Sequence, residues 1–168
     1  ISDCDGRITT LVFDNKHSVI CYYYSNSMYF ATVNNSDGSI VATSNPLTNN
    51  SYYYPIKIEK INENVIAVLY NSASQHSDSV GFFKFDSTTG AVTHIKSVNL
   101  KSDSSYVTMA GFCRLSDTKT LIIQNYPHTA IYAVIVTISE DGSSVTIGST
   151  FTKSENVSGN VTCGSIAL

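Results

Sequence analysis

Three glycines, Gly38, Gly90 and Gly142, recur in this 168-residue chain at an even spacing of 52 residues. Around each lies the same succession of short apolar runs and turn residues. A period of that length marks a modular array, in which each unit buries surface it cannot bury alone against its neighbours. It constrains the fold more tightly than any single motif, because every copy must adopt the same local structure.

The copies read as strands. The first runs Arg7–Phe13, turn Asp14-Asn15-Lys16, Ser18–Tyr24, polar break Ser25-Asn26-Ser27, Tyr29–Val33, turn Asn35–Gly38, then Ser39–Thr43. The second gives Pro55–Ile61, Val65–Tyr70, Val80–Phe85 and Ala91–Ile95. The third gives Val107–Leu115, Thr120–Ile123, Ile131–Val136 and Ser144–Gly148. These runs are rich in β-branched and aromatic residues and are punctuated by Asp-Gly and Asn-type turns. No window carries a helical period. Val65–Leu69 is apolar on both faces, as a strand covered on both sides should be.

Four antiparallel strands stacked face to face on their neighbours meet that description. The expected fold is therefore all-β and β-propeller-like, about three four-stranded blades plus one strand. A β-sandwich of about a dozen strands is the alternative, but a sandwich needs no period. The chain is expected to be a single repeat domain, 1–168, with blades near 4–50, 51–105 and 106–158 and the start of a fourth at 159–168. Three blades and one strand do not close a ring of the usual size. Either the chain belongs to a longer polypeptide, or copies assemble as a homo-oligomer.

Charged residues make up only 14% and the net charge is −3. A nucleic-acid partner, which needs a basic face to replace counterions, is not expected. Nothing draws the chain to an anionic membrane, and no apolar run is long enough for a membrane-spanning helix. The N-terminus lacks an initiator Met and the basic-then-apolar layout of a signal peptide, so a fragment or processed product is expected. Cys4, Cys21, Cys113 and Cys163 form no C-x-x-C pair. They are expected mainly as buried, reduced thiols, with disulfides left open.

Two stretches carry a resemblance. One is Leu115–Ile123 with Ile131–Ile138 and Gly142–Gly148; the other is Ile61–Tyr70. Their order of strand, Asp/Asn turn, apolar strand, polar break, Ala-x-Val strand and Gly turn resembles the propeller-like repeats of bacteriophage tail-fibre and receptor-binding proteins. The resemblance covers essentially the whole chain. It implies a virion surface or extracellular setting, with a host-surface glycan or receptor and other virion proteins as partners. It carries over no catalytic residue. The sialidase Ser-x-Asp-x-Gly-x-Thr-Trp box is absent, and the chain has no Trp.

In such an array, loops joining second to third strands, and loops joining consecutive units, emerge together. They hold Tyr24, Asn26, His76, Tyr126 and His128, and the run Tyr52, Tyr53, Tyr54. Tyr24, His76 and His128 also keep the 52-residue spacing. Aromatic rings cover the apolar face of a sugar, and amides, hydroxyls and imidazoles bond its hydroxyls. These eight residues are the candidate ligand contacts. Structural packing competes at each tyrosine, because Tyr22–Tyr24 ends a buried strand and consecutive residues of Tyr52–Tyr54 alternate faces. Asp37, Asp86, Asp117 and Asp141 read as turn caps on the opposite side. A glycosidase needs two carboxylates facing one substrate, and only Asp78 and Asp103 fall near the candidate face. No catalytic residue, metal site or cofactor is expected. The Asn-x-Ser/Thr sequons at Asn34, Asn49, Asn156 and Asn160 arise readily in so Asn- and Ser-rich a chain. The expected function is a non-catalytic receptor-binding or adhesin module for carbohydrate. A structural tail component is the alternative, and a polysaccharide-degrading enzyme the more distant one.

Overall fold

The structure is a computed structural model that describes residues 8–47, 53–72, 77–99, 109–126 and 130–154. The twelve expected strands all form, as three antiparallel meanders in chain order. The first sheet holds β1 (Ile8–Val12), β2 (His17–Tyr24), β3 (Ser27–Asn34) and β4 (Ile40–Ser44). The second holds β5 (Tyr53–Asn62), β6 (Val65–Ser72), β7 (Ser77–Phe85) and β8 (Val92–Val98). The third holds β9 (Met109–Ser116), β10 (Lys119–Tyr126), β11 (Ala130–Ile138) and β12 (Val145–Ile147). The described residues form no helix. Three separate sheets replace the two facing sheets of the sandwich alternative. The segment expected to begin a fourth blade, 159–168, lies outside the described residues.

The sequence reading missed a thirteenth strand, β13 (Phe151–Ser154). It pairs with β11 at Ala130–Ala133, beyond the Val136–Ile138 stretch taken by β12. The chain breaks pairing at Gly148, whose N–H still donates to Ile135 O at 3.1 Å. A Cβ on Gly148 would stand 2.7 Å from that oxygen, so only glycine allows the approach. The two pieces act as one fourth strand interrupted by a bulge. The other fourth strands carry bulges too, opposite Thr32/Val33 and Phe82/Phe83.

Stacking of the sheets explains why β6 is apolar on both faces over Val65–Tyr70. Side chains alternate across a strand, so β6 sends Ile66, Val68 and Tyr70 toward the first sheet and Val65, Ala67 and Leu69 toward the third. We call the face toward the next sheet leading and the other trailing. Between the first two sheets, Val19, Cys21, Met28 and Phe30 meet Phe83, Phe85 and Val92. Between the second and third, Val80 and Phe82 meet Val134, Val136, Ile138 and Val145. Polar bonds fix the stack. Thr32 Oγ1 donates to Gly90 O at 2.6 Å, Val92 N–H to Ser44 Oγ at 3.0 Å, and Asn64 Nδ2 to Glu140 O at 3.0 Å.

The turns between third and fourth strands carry the period. Asn34, Asp86 and Ser139 each donate a backbone N–H five residues ahead, to Ser39 O (2.8 Å), Ala91 O (2.9 Å) and Ser144 O (3.1 Å). Gly38 and Gly90 bond back four residues to Asn34 O and Asp86 O, whereas Gly142 bonds back three, to Ser139 O. All three glycines hold a left-handed φ, +73°, +71° and +64°, which a Cβ disfavours. The even glycine spacing thus conceals a third turn that closes one residue earlier.

Candidate functional site

One edge of the stack holds the described residues of the expected site. The β2–β3 hairpin closes there, and β5 begins opposite the end of β6, with Tyr53 paired to Ser72. β10 ends there as well, with Tyr126 paired to Ala130. Tyr24, Asn26, Tyr53, Tyr54 and the Tyr126 backbone therefore share that edge. The Tyr126 side chain and all of Tyr52, His76 and His128 lie outside the described residues.

The polar break after β2 is a two-residue turn. Tyr24 pairs with Ser27, and the intervening Ser25 and Asn26 hold φ of +46° and +65°. Two consecutive positive φ values suit the twist of a tight hairpin, and Asn tolerates them. Asn26 Oδ1 also accepts a bond from the Tyr23 hydroxyl at 2.9 Å. Asn26 thus has a structural occupation while remaining exposed.

The tyrosines divide between two sides of β2. Tyr23 is buried on the leading face, and Tyr54 packs on it with ring centroids 4.6 Å apart. Half-buried Tyr53 sets its ring against Tyr70 at 5.2 Å. Together these rings close the seam between the first and second sheets. Tyr24 points to the other side, exposed on the trailing face of the first sheet near Tyr29, at 6.1 Å between centroids. Strand alternation makes this division unavoidable for neighbouring residues. Tyr24 also sits opposite Ser27 as Tyr70 sits opposite Ser79. Counted from the third-to-fourth-strand turns, these are matching places, so the pairing aligns Tyr24 with Tyr70 rather than with His76.

Tyr70 itself extends a hydroxyl to Ser97 Oγ at 2.8 Å, and His94 Nε2 lies 2.9 Å from the same oxygen. The Tyr70 ring crosses Gly81, where an added Cβ would stand 2.7 Å from the Phe83 ring. Burial raises the Tyr70 pKa and lowers that of His94. The sequence signal for this group was Gly81 inside an otherwise bulky strand.

The opposite edge holds the reverse turns and two hollows that the sequence reading did not single out. One, of about 260 Å³, lies between the second and third sheets and is lined by Lys60, Asn62, Glu63, Arg114, Asp117 and Glu140 among others. Lys60 Nζ lies 2.7 Å from Glu63, and Arg114 pairs with Asp117. Each cation is matched locally, and Glu140 leaves the lining with one more carboxylate than cation. The other, of about 410 Å³, includes Asp14, Lys16 and His17. Asp14 Oδ2 lies 3.2 Å from His17 Nδ1 and its Oδ1 accepts the Lys16 N–H at 2.7 Å. Burial pulls the Asp14 pKa up, but the bonds from His17 and Lys16 outweigh it and the net shift is downward.

Three of the four turn carboxylates have the capping role expected of them, whereas Asp117 pairs with the Arg114 side chain. Asp37 accepts the Ser39 N–H at 2.9 Å, Asp86 the Thr88 N–H at 2.8 Å, and Asp141 the Ser143 N–H at 3.0 Å. Among the described residues, no three His, Cys, Asp or Glu side chains group as metal ligands would. Cys21 and Cys113 are free thiols. Burial pushes the Cys21 pKa well up, which leaves it a packing group rather than a nucleophile.

No protein-family model matches the sequence, and no curated protein sequence matches it. Among solved structures, the chain is similar to Kluyvelomyces marxianus Hsv2, a β-propeller protein, at 12% identity and a TM-score of 0.48. The match covers 80% of this chain and 45% of Hsv2, so the chain spans under half the length of that neighbour.

Proposed function

We infer that this chain is a non-catalytic binding module whose ligand is a surface carbohydrate, read along the edge that carries Tyr53, Tyr54 and Asn26. The observation that supports this is the gathering of those residues at one seam, with the rings held by neighbours on a rigid sheet stack. Held rings lose little entropy on binding, and a ring edge beside an amide suits a sugar's mixed surface. Tyr52, His76, Tyr126 and His128 join the proposed contacts by their place in the sequence alone. A virion surface setting, a host receptor and companion virion proteins rest on the sequence resemblance alone.

A purely structural role has its own support. Tyr53 packs on Tyr70, Tyr54 on Tyr23, and Asn26 accepts from Tyr23, so each described contact at the seam already serves the fold. A glycan array probed with the native chain and with Tyr53→Ala and Tyr54→Ala separates the two. Binding lost in a variant that keeps the native unfolding midpoint supports the carbohydrate reading. An array with no retained glycan, or binding that both variants keep, rejects it in favour of the structural role.

A further inference from the structure

The repeat supplies a key to the two outer faces of the stack. Residues at the same distance from the third-to-fourth-strand turns at Asn34, Asp86 and Ser139 occupy the same place in each sheet. Four residues before the turn stand Phe30, Phe82 and Ile135; six residues after its start stand Ile40, Val92 and Val145. The first set belongs to leading faces. Phe30 is buried against the second sheet and Phe82 against the third, whereas Ile135 is 46% exposed. The second set belongs to trailing faces. Val92 and Val145 are buried against the preceding sheet, whereas Ile40 is 63% exposed.

The rest of each outer face follows the same rule. Ile135 pairs with Leu121, and Ala133 with Ile123 and Phe151, so the middle of the third sheet's leading face is apolar, with exposed Lys119 paired to Thr137 beside it. On the first sheet's trailing face, Ile20 pairs with Ala31, Ser18 with Val33, and Tyr22 with Ile8 and Tyr29. The corresponding Phe83 and Phe85 of the second sheet, and Val136 and Ile138 of the third, are core. The chain therefore carries both halves of one interface it already builds twice internally. Among the described residues, a leading face is left uncovered at one end and a trailing face at the other.

We propose that the occupant of each face is a second copy of this chain, docked head to tail, so that two copies close a ring of six sheets. A leading face meeting a trailing face is a heterologous contact, and such contacts close when the rotation allows. Six sheets fall within the range of closed propeller rings. Isologous pairing would instead set two trailing faces together and leave each leading face open. The junction also covers Tyr24, because Tyr70 and Gln124, in its matching places, are 3% and 1% exposed. The seam at Tyr53 and Tyr54 lies between the first two sheets of one copy, so the carbohydrate reading is tested independently of this one.

Mass in solution tests the proposal. The native chain should run at twice its 18.2 kDa. Ile40→Asp and Ile135→Asp are surface substitutions in one copy, and each should shift the protein to the single-chain mass while circular dichroism stays native. An equimolar mixture of the two variants should recover the doubled mass, because one of its two junctions keeps both isoleucines. A native chain at the single mass, dissociation by only one substitution, or a mixture that stays single-chain would each overturn the head-to-tail ring.

Discussion

At the residue scale, the turns show how polar side chains earn their places without any ligand. Asp141 is held down to about 2 by the Ser143 N–H, with help from the Ser139 and Ser143 hydroxyls. Asp86 is lowered by the Thr88 and Thr89 N–H groups, and Asp37 by the Ser39 hydroxyl and N–H. A folded carboxyl that releases its proton more readily than the unfolded one stabilises the fold above the unfolded value of about 4. That contribution is lost as the pH falls through the folded value, about 2 for Asp141. Denaturation midpoints should therefore carry an acid limb below about pH 4. Asn keeps the accepting oxygen but does not titrate, so Asp37→Asn, Asp86→Asn and Asp141→Asn combined should flatten the acid limb. An acid limb equally steep in the triple variant would assign the loss to other groups.

At the scale of the element, the same strand position carries different weight according to which sheet it belongs to. Phe82 is fully buried between the second and third sheets. Phe82→Ala should cost about 3–5 kcal/mol, the lost transfer energy plus the cavity left behind. Ile135 occupies the matching place on an outer face, and in dilute protein Ile135→Ala should cost less than about 1 kcal/mol, as surface changes do. Urea denaturation of the two variants checks the contrast, and equal costs would mean that something already covers the outer face in a single chain. Twelve strands were legible because runs such as Val65–Leu69 and Ile131–Val136 lie between turn residues. β13 was not, because Phe151–Ser154 is short, polar at its end and not repeated at the period.

At the scale of the whole molecule, stability and assembly should be coupled. Any partner that binds only the folded state raises its apparent stability by mass action. If two copies close a ring through Ile40 and Ile135, the native Tm should rise with protein concentration, while that of Ile135→Asp should not. Calorimetry over a hundredfold range of concentration reads this directly, and a Tm flat in the native chain would separate folding from assembly. The candidate binding edge is more local. It was legible in part, since Tyr24, Asn26, Tyr53 and Tyr54 do lie on one side of the stack. Its division was not legible, because Tyr23 and Tyr24 differ only in which face of β2 they occupy.

The sequence by itself determined the all-β class, the order of strands and the turn chemistry. These depend on local rules: alternation, β-branched content, and glycine or Asp at the reversals. It also determined that a strand such as Val65–Leu69 would be covered on both sides. Only the tertiary structure decided which side meets which neighbour, that Asn26 serves Tyr23, and that Gly148 admits a bulge and a thirteenth strand. The reason is that a period of two names two faces without saying what lies against either. That is decided by packing between residues far apart in the chain, as where Thr32 reaches Gly90.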